Sequence, residues 1–260
     1  MTDIFKVLDE IDLHYQGERI RFFFEKGGSR LIPTVIKERG VFYENECLEF
    51  IRSSITQPGI FLDIGANIGN HTLFFSRIAR RRVMAFEAIP ENFEVLKKNI
   101  EMNPASEPVE AFNFGLGSSN SYADFEQPNL AEAGSFRRKK GSVAGKIEIR
   151  RLDDVLRDAD LKLPIAFMKI DVEGMELEVL QGAVEALKDH RPGLSIEIKT
   201  NKEYLQICEF LEPFDYVPIG AFNATPTFVF RSITVPSELR HLQGLIRNFA
   251  ALYIKVRGRS

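Results

Sequence analysis

Two acidic residues and two glycines stand where successive strand-like segments end. The stretch FLDIGANIGN, residues 61–70, places Asp63 at the end of an apolar run and puts Gly65 and Gly69 in the turn that follows. A second acid, Glu87, ends the next apolar run, VMAF. Glycines at such a turn allow a tight bend and a close approach of a ligand to the backbone. A ligand bound here would meet two carboxylates about one βαβ unit apart in sequence.

The two acids indicate the chemistry of that ligand. The loop lacks the G-x-G-x-x-G spacing of dinucleotide-binding proteins, and a carboxylate before the first glycine is unfavourable for a pyrophosphate. Asp63 suits an ammonium group instead, and an acid at the position of Glu87 accepts hydrogen bonds from both hydroxyls of a ribose. A ribose and an amine without a phosphate describe S-adenosylmethionine (SAM). Taken singly, the loop could equally be a tight turn without a ligand, and Glu87 a solvated strand end.

A second acidic constellation lies in MKIDVEGMELEVLQGA, residues 168–183. Lys169, Asp171 and Glu173 alternate along the end of a buried strand, and Gly174 allows the turn into a helix. In a doubly wound sheet this strand neighbours the first one, which would place Asp171 across the crevice from the glycine loop. A carboxylate there could act as general base on an acceptor hydroxyl or amine, or could hold a divalent metal. The structural alternative is a helix-capping acid or one salt-bridged to Lys169.

Two further residues are candidates for the same chemistry. Glu197 ends the next strand, in LSIEIK, and with Asp171 and Glu173 could bind Mg²⁺ or orient an acceptor; otherwise it is a hydrogen-bonded strand-end acid. His71 follows the glycine loop and is a possible base near neutral pH. A histidine that packs and hydrogen-bonds locally at the start of a helix is the commoner arrangement.

The elements that would position these residues alternate between strand and helix. We predict strands at 60–64, 82–87, 108–114, 165–171 and 194–199, helices at 69–80, 90–102, 174–188 and 202–211, and closing strands near 215–219 and 226–232. Before them, the pattern predicts a β-hairpin over 11–25 and a helix over 44–56. The alternation is typical of an α/β fold: a Rossmann-like, doubly wound and mostly parallel sheet with helices on both faces.

The sequence suggests three parts. We expect an N-terminal hairpin and helix extension over 1–56, a catalytic domain over 57–235 and a C-terminal helix and tail over 236–260. The stretch 117–146, rich in Gly, Ser and Asn, is predicted as a hairpin-like insertion. Its RRKK run, residues 137–140, could gather an anionic acceptor or form a solvated loop face.

Composition bounds the partners. The chain has 260 residues and a net charge of −3, which does not favour nucleic acid as the main partner. It lacks the basic start and apolar run of a signal peptide, and no run approaches the ~18 apolar residues of a membrane span. Cys47 and Cys208 lie far apart and are expected to be reduced thiols of a cytoplasmic protein. The basic tail permits at most a weak contact with a membrane surface.

The combined motifs resemble a known family. DIGANIGN, FEAIPENFEVLKKNI, LDDVL at 152–156 and KIDVEGMELEVLQGA followed by RPGLSIEI are similar to those of FkbM-type SAM-dependent methyltransferases, over roughly residues 40–200. The resemblance implies a class I Rossmann-like enzyme with a seven-stranded sheet. It also implies methyl transfer, most often to a hydroxyl oxygen of a sugar, glycan or natural product.

The resemblance also implies roles for individual residues. The loop that holds the methionine part of SAM would include Asp63, Gly65, Asn67, Gly69 and Asn70, and Glu87 would be the ribose acid. Asn113 falls where such enzymes contact adenine. Asn129 and Ser135 resemble a short signature that lines the cofactor or acceptor cleft. The extension and the segment after about residue 200 match less well and are where we expect acceptor specificity to reside.

Two other functions fit the same fold. One is a nicotinamide-dependent oxidoreductase, which would need a third glycine and a helix N-terminus free for a pyrophosphate. The other is a binding module that kept the fold and lost the chemistry. Asp63 speaks against the first of these functions. The presence of Asp63, Glu87 and Asp171 together speaks against the second.

Overall fold

The computed structural model describes residues 8–25, 31–126, 137–138, 147–159, 161–223 and 225–233. In chain order, the strands are β1 (Leu8–Tyr15), β2 (Glu18–Glu25), β3 (Ile60–Ile64), β4 (Val83–Phe86), β5 (Val109–Phe112), β6 (Gly115–Leu116), β7 (Ser121–Ala123), β8 (Phe125–Glu126), β9 (Arg137–Arg138), β10 (Ile147–Arg150), β11 (Ile165–Ile170), β12 (Gly193–Glu197), β13 (Tyr216–Phe222) and β14 (Thr227–Ser232). The helices are α1 (Leu31–Arg39), α2 (Asn45–Ser54), α3 (Asn70–Leu73), α4 (Pro90–Met102), α5 (Leu152–Asp158), α6 (Glu176–Gln181), α7 (Val184–His190) and α8 (Asn201–Leu211).

The central sheet confirms the predicted fold class. It has seven strands in the order β13-β14-β12-β11-β3-β4-β5. Strands β12, β11, β3, β4 and β5 run parallel to one another, whereas β14 is antiparallel to both β12 and β13. The strand order reverses between β3 and β11, and a crevice opens at the carboxyl ends of the strands at such a switch point. Asp63 and Asp171 come from these two strands.

The two faces of the sheet carry separate apolar cores. Along β3, Ile60, Leu62 and Ile64 belong to the core that also contains side chains from α5, α6, α7 and α8, whereas Phe61 belongs to the core on the opposite face. Both faces are therefore covered, which explains why the central strands are continuously buried rather than alternating. In the part of the chain that the structure describes, no helix is both long and apolar enough to cross a membrane.

The N-terminal hairpin packs onto one of these faces. Leu13, Ile20 and Phe22 are buried in the same core as Phe61. Two asparagines fix the outer edge of β2: Asn99 of α4 pairs with the backbone of Phe23, and Asn103, which directly follows α4, pairs with that of Arg21. These amide side chains continue the hydrogen bonding of the strand, so the hairpin is attached to α4 by side-chain hydrogen bonds to its backbone as well as by apolar contact.

Several predicted elements differ in detail. The predicted helix 69–80 is α3 followed by a π-helical turn over Phe74–Ile78, and the predicted helix 174–188 is two helices, α6 and α7. Helix α1 was not predicted. In the insertion, β8 pairs with β9 in antiparallel fashion, as the hairpin prediction required, and β7 pairs with β10. The predicted C-terminal helix lies outside the described residues.

Candidate active site

A cleft opens at the switch point between β3 and β11. It has about 670 Å³ of space not filled by protein atoms, part of it open to solvent. Its lining includes Gly65 and Asn67 after β3, Glu87 after β4, and Asp171 and Glu173 after β11. Apolar side chains complete the wall, among them Ile64, Phe86, Ile89, Leu116, Ile149, Val172 and Met175. The fold therefore brings five of the predicted site residues together around one space.

Glu87 connects the loop after β3 with the segment after β4, both of which belong to the predicted cofactor site. One carboxylate oxygen accepts a 2.7 Å hydrogen bond from the backbone amide of Asn67, and the other accepts a 2.8 Å bond from that of Ile89. The side-chain amide of Asn113 donates to the carbonyl of Glu87 at 2.9 Å. Burial raises the pKa of Glu87 to about 7, although the two backbone amides favour its ionised form. Each carboxylate oxygen keeps a lone pair for a further donor.

Asp63 is placed differently from the expectation. It is completely buried and does not line the cleft, so its carboxylate does not face a ligand there. It accepts a 2.6 Å hydrogen bond from Thr72 and lies 3.3 Å from the ammonium group of Lys169. The ammonium group that this carboxylate meets is therefore not that of a ligand. That group belongs to the protein, since Lys169 is the neighbouring residue on β11.

Asp171, Glu173 and Glu197 form a compact acidic cluster. Ligand atoms of the three carboxylates all lie within 4.8 Å of one another. Lys199 forms ion pairs with Glu173 and, at 3.3 Å, with Glu197. Burial, followed by repulsion from Asp171, raises the pKa of Glu197 to about 8. The cluster thus contains one carboxyl group, that of Glu197, which holds its proton more strongly than a glutamate in water.

The backbone that carries this cluster is tightly turned. Glu173 and Gly174 have φ of 56° and 97°, in the left-handed region. The buried carboxylate of Glu176, at the start of α6, accepts a 3.0 Å hydrogen bond from the amide of Gly174 and a 3.4 Å bond from that of Val172. The loop after β11 is therefore held by a side chain of its own helix, as capping residues do.

The N-terminal extension also contributes to the site. The side-chain amide of Asn70 both donates to and accepts from the backbone of Tyr43, at 3.0 and 3.1 Å. The next residue, Glu44, lies 3.1 Å from Nε2 of His71. Burial, then the carboxylates of Glu44, Asp171 and Glu197, raise the pKa of the Tyr43 hydroxyl. Asn70 and His71 thus hold residues 43–44 in place, and none of these four residues lines the cleft.

The sequence did not point to Tyr43, Glu44 or Lys199 as site residues. They come from segments without a motif, and only the fold brings Lys199 to the acidic cluster and residues 43–44 to Asn70 and His71. Of the other predicted residues, Gly69 has a φ of 95° and packs against Leu96. Asn129 and Ser135 lie outside the described residues.

The comparison with protein families decides the identity. A model of the methyltransferase FkbM domain matches residues 63–218, which is more than half of the chain. The protein belongs to the FkbM methyltransferase family. The matched range begins at Asp63 on β3 and ends on β13, so it contains the cleft, the Glu87 carboxylate and the acidic cluster. The FkbM match leaves out β1, β2, α1 and α2, and therefore also Tyr43 and Glu44.

Two curated relatives are also methyltransferases. The chain is 31% identical over 147 residues to the hexuronic acid methyltransferase AglP of Haloferax volcanii. The aligned region covers 56% of this chain and 58% of the relative. The chain is 36% identical over 155 residues to the methyltransferase sdnD of Sordaria araneosa, covering 48% and 60%. The matches thus span about three fifths of the length of each relative.

Solved structures include an FkbM methyltransferase. The protein from Methylobacillus flagellatus is 20% identical with a TM-score of 0.48, over 70% of this chain and 46% of that one. A precorrin-6y C5,15-methyltransferase from Geobacter metallireducens is 14% identical with a TM-score of 0.48, over 76% and 92%.

Proposed function

We propose that this FkbM methyltransferase binds SAM in the cleft and methylates a hydroxyl oxygen of a sugar, glycan or natural product. The observation that carries the proposal is the position of the buried Glu87 carboxylate, which lines the same cleft as Asp171. One acid stands where a ribose is bound in this fold, and the other stands across the switch point, where an acceptor would be approached.

The charge of the cleft supports SAM over a dinucleotide. Among its described lining residues, three are acids (Glu87, Asp171 and Glu173) and none is Lys or Arg. A pyrophosphate needs positive charge or free backbone amides, and two amides near Glu87 are already bonded to that carboxylate. A sulfonium and an ammonium group are favoured by the same field. We therefore prefer SAM to NAD, the alternative on this fold.

The residues around the cleft divide into two sides. On the cofactor side, Gly65 and Asn67 would contact the methionine part, and the ionised Glu87 would accept hydrogen bonds from the ribose. Bound SAM would supply an electrophilic methyl group on sulfur, so that no covalent enzyme intermediate is needed. On the acceptor side, Asp171 would take the proton of the acceptor hydroxyl as the new oxygen–carbon bond forms. Glu173, Glu197 and Tyr43 would orient the acceptor.

The acceptor class is proposed from the relatives together with the site. A relative that matches half of this chain acts on a hexuronic acid, according to its name. The acceptor side of the present cleft offers the carboxylates of Asp171 and Glu173, groups that hydrogen-bond to sugar hydroxyls. A hydroxyl also needs help to lose its proton, which the acidic cluster supplies. We therefore place sugars first among candidate acceptors.

Calorimetric titration with S-adenosylhomocysteine (SAH) tests the cofactor assignment. The purified protein should bind SAH with a dissociation constant of about 1 μM, which corresponds to a binding free energy of about 8 kcal/mol. It should not bind NAD. Glu87→Gln should weaken binding at least tenfold, since a hydrogen bond to a charged group contributes about 1.5–3 kcal/mol. Glu110→Gln is the matched control, because Glu110 is an acid on the neighbouring strand that pairs with Arg82 outside the cleft.

Turnover then separates an enzyme from a binding module. Methyl-labelled SAM would be incubated with the protein and a panel of methyl glycosides, including methyl glucoside and methyl glucuronoside. Label transferred to a glycoside supports the proposed function. SAH binding without transfer to any compound of a broad hydroxyl and amine panel would favour the binding module, and NAD binding without SAH binding would contradict the proposal.

A further inference from the structure

A buried lysine lies between the cofactor loop and the acceptor-side carboxylate. Lys169 is only 5% exposed. Its ammonium group donates a 2.7 Å hydrogen bond to the carbonyl of Gly65 and lies 3.3 Å from a carboxylate oxygen of Asp63 and 3.5 Å from one of Asp171. An ammonium group has three N–H donors. Here it has three oxygen neighbours, on Gly65 in the cofactor loop, on Asp63 of β3 and on Asp171 after β11.

We propose that Lys169 is a positioning residue, whose ammonium group fixes the Asp171 carboxylate against the cofactor loop at Gly65. The proposal rests on the proposed function and adds a role for a residue outside the cleft lining. Burial opposes the charge of Lys169, but Asp63, then Asp171 and Glu44, outweigh it and raise the pKa of the amine. The group therefore stays cationic at every pH at which the enzyme would work.

The need for such a residue follows from the acidic cluster. Ligand atoms of the three carboxyl groups lie within 4.8 Å of one another, so their negative charges repel. This repulsion is one cause of the raised pKa of Glu197. Lys199 balances Glu173 and Glu197, whereas Lys169 is the one cation within 4 Å of Asp171 among the residues that the structure describes. Without Lys169, repulsion would turn Asp171 away from the crevice.

The cofactor loop depends less on Lys169 than Asp171 does. The amides of Gly65 and Ala66 both donate to the carbonyl of Phe86 at 2.9 Å, and the amide of Asn67 is bonded to Glu87. These bonds remain when Lys169 is replaced. Loss of the ammonium group should therefore impair transfer much more than cofactor binding, because a displacement of about 1 Å at the reacting groups can lower a rate about 100-fold.

The test compares Lys169→Met with Lys199→Met, which removes the other cation of the cluster. SAH affinity would be measured by calorimetry, and kcat with methyl-labelled SAM and the best glycoside of the panel. For Lys169→Met, we expect the affinity for SAH to stay within about fivefold of wild type, while kcat falls about 100-fold. The loss of kcat should be at least tenfold greater in Lys169→Met than in Lys199→Met. Lys169→Arg, which keeps the charge without the same reach, should show the same split and serves if the methionine variant does not fold.

Three results would overturn the proposal. They are a kcat within about threefold of wild type, a parallel loss of SAH affinity and kcat, or an equal loss in Lys199→Met. A crystal structure of Lys169→Met gives a readout that needs no acceptor. In it, the Asp171 carboxylate is expected to lie farther from the Gly65 carbonyl than in the wild type. An unmoved carboxylate would also refute the proposal. Wild-type protein that fails to bind SAH would contradict the proposed function instead.

Discussion

The backbone amide of Asn67 donates a 2.7 Å hydrogen bond to the carboxylate of Glu87. This bond joins the loop after β3 to the end of β4, the two parts of the chain proposed to hold the methionine part and the ribose of the cofactor. The same carboxylate is buried and its pKa is raised to about 7, with burial as the main cause. Its charge therefore changes within the physiological pH range.

SAH affinity should depend on pH through Glu87. The ionised carboxylate accepts hydrogen bonds from two ribose hydroxyls, and the ionised fraction rises with pH through a pKa of about 7. Affinity should therefore be about tenfold lower at pH 6 than at pH 8. Calorimetry at constant ionic strength measures this change. Glu87→Gln should bind weakly and without this dependence, and an equal slope in the variant would assign the titration to another group.

Asp171→Asn should separate binding from transfer. The variant keeps the size of the side chain but removes the proton acceptor, so SAH affinity should stay within about threefold while kcat falls about 10²–10⁴-fold. Asp158→Asn is a control, because Asp158 is an exposed acid that pairs with Arg150 at the end of α5. Full activity of Asp171→Asn would remove this residue from the mechanism.

Gly65→Ala should destabilise the protein much more than Gly174→Ala. Both glycines have left-handed φ, 78° and 97°, but a Cβ on Gly65 would lie 1.9 Å from the carbonyl oxygen of Asp171, whereas nothing lies within 4 Å of one on Gly174. Gly174→Ala should cost about 1–2 kcal/mol in free energy of unfolding, and Gly65→Ala at least about 3 kcal/mol because strain from overpacking adds to it. Denaturant unfolding measures both values, and equal losses would refute the packing explanation.

Transfer should not require a divalent metal. Lys199 already forms ion pairs with Glu173 and Glu197, so a metal ion at the cluster would have to displace an ammonium group. Activity should be the same after dialysis against EDTA and with added Mg²⁺. A rate that falls with EDTA and returns with Mg²⁺ would show that Lys199 moves aside and that the three carboxylates bind a metal.

The sequence predicted the sheet better than the helices that flank it. Buried strands follow from continuous apolar runs, and α4 has the predicted bounds, 90–102. The predicted helix 174–188 is interrupted between α6 and α7. There, Gly182 lies close to the carbonyl of Gly117, and the carboxylate of Asp153 accepts hydrogen bonds from the amides of Glu185 and Ala186 in α7. Both causes are tertiary contacts, which cannot be predicted from the spacing of apolar residues along the sequence.

The site was predictable where strand ends determine it. Glu87 and Asp171 could be placed because parallel strands bring their carboxyl ends to one edge. The burial of Asp63 could not, because it depends on Lys169 from a strand about one hundred residues later in the sequence. Tyr43 was missed for a similar reason: only the packing of the extension on the sheet brings it to Asn70, beside the glycine loop.

Asn99 has consequences for exchanging parts between relatives. Its side-chain amide donates to the carbonyl of Phe23 in the hairpin and, at 2.7 Å, to that of Ile68 in the glycine loop. One amide on α4 thus contacts both the N-terminal hairpin and the loop that would hold the cofactor. A chimaera that received its hairpin from another methyltransferase would need a matching side chain on α4, or the new hairpin would leave the loop with one support fewer.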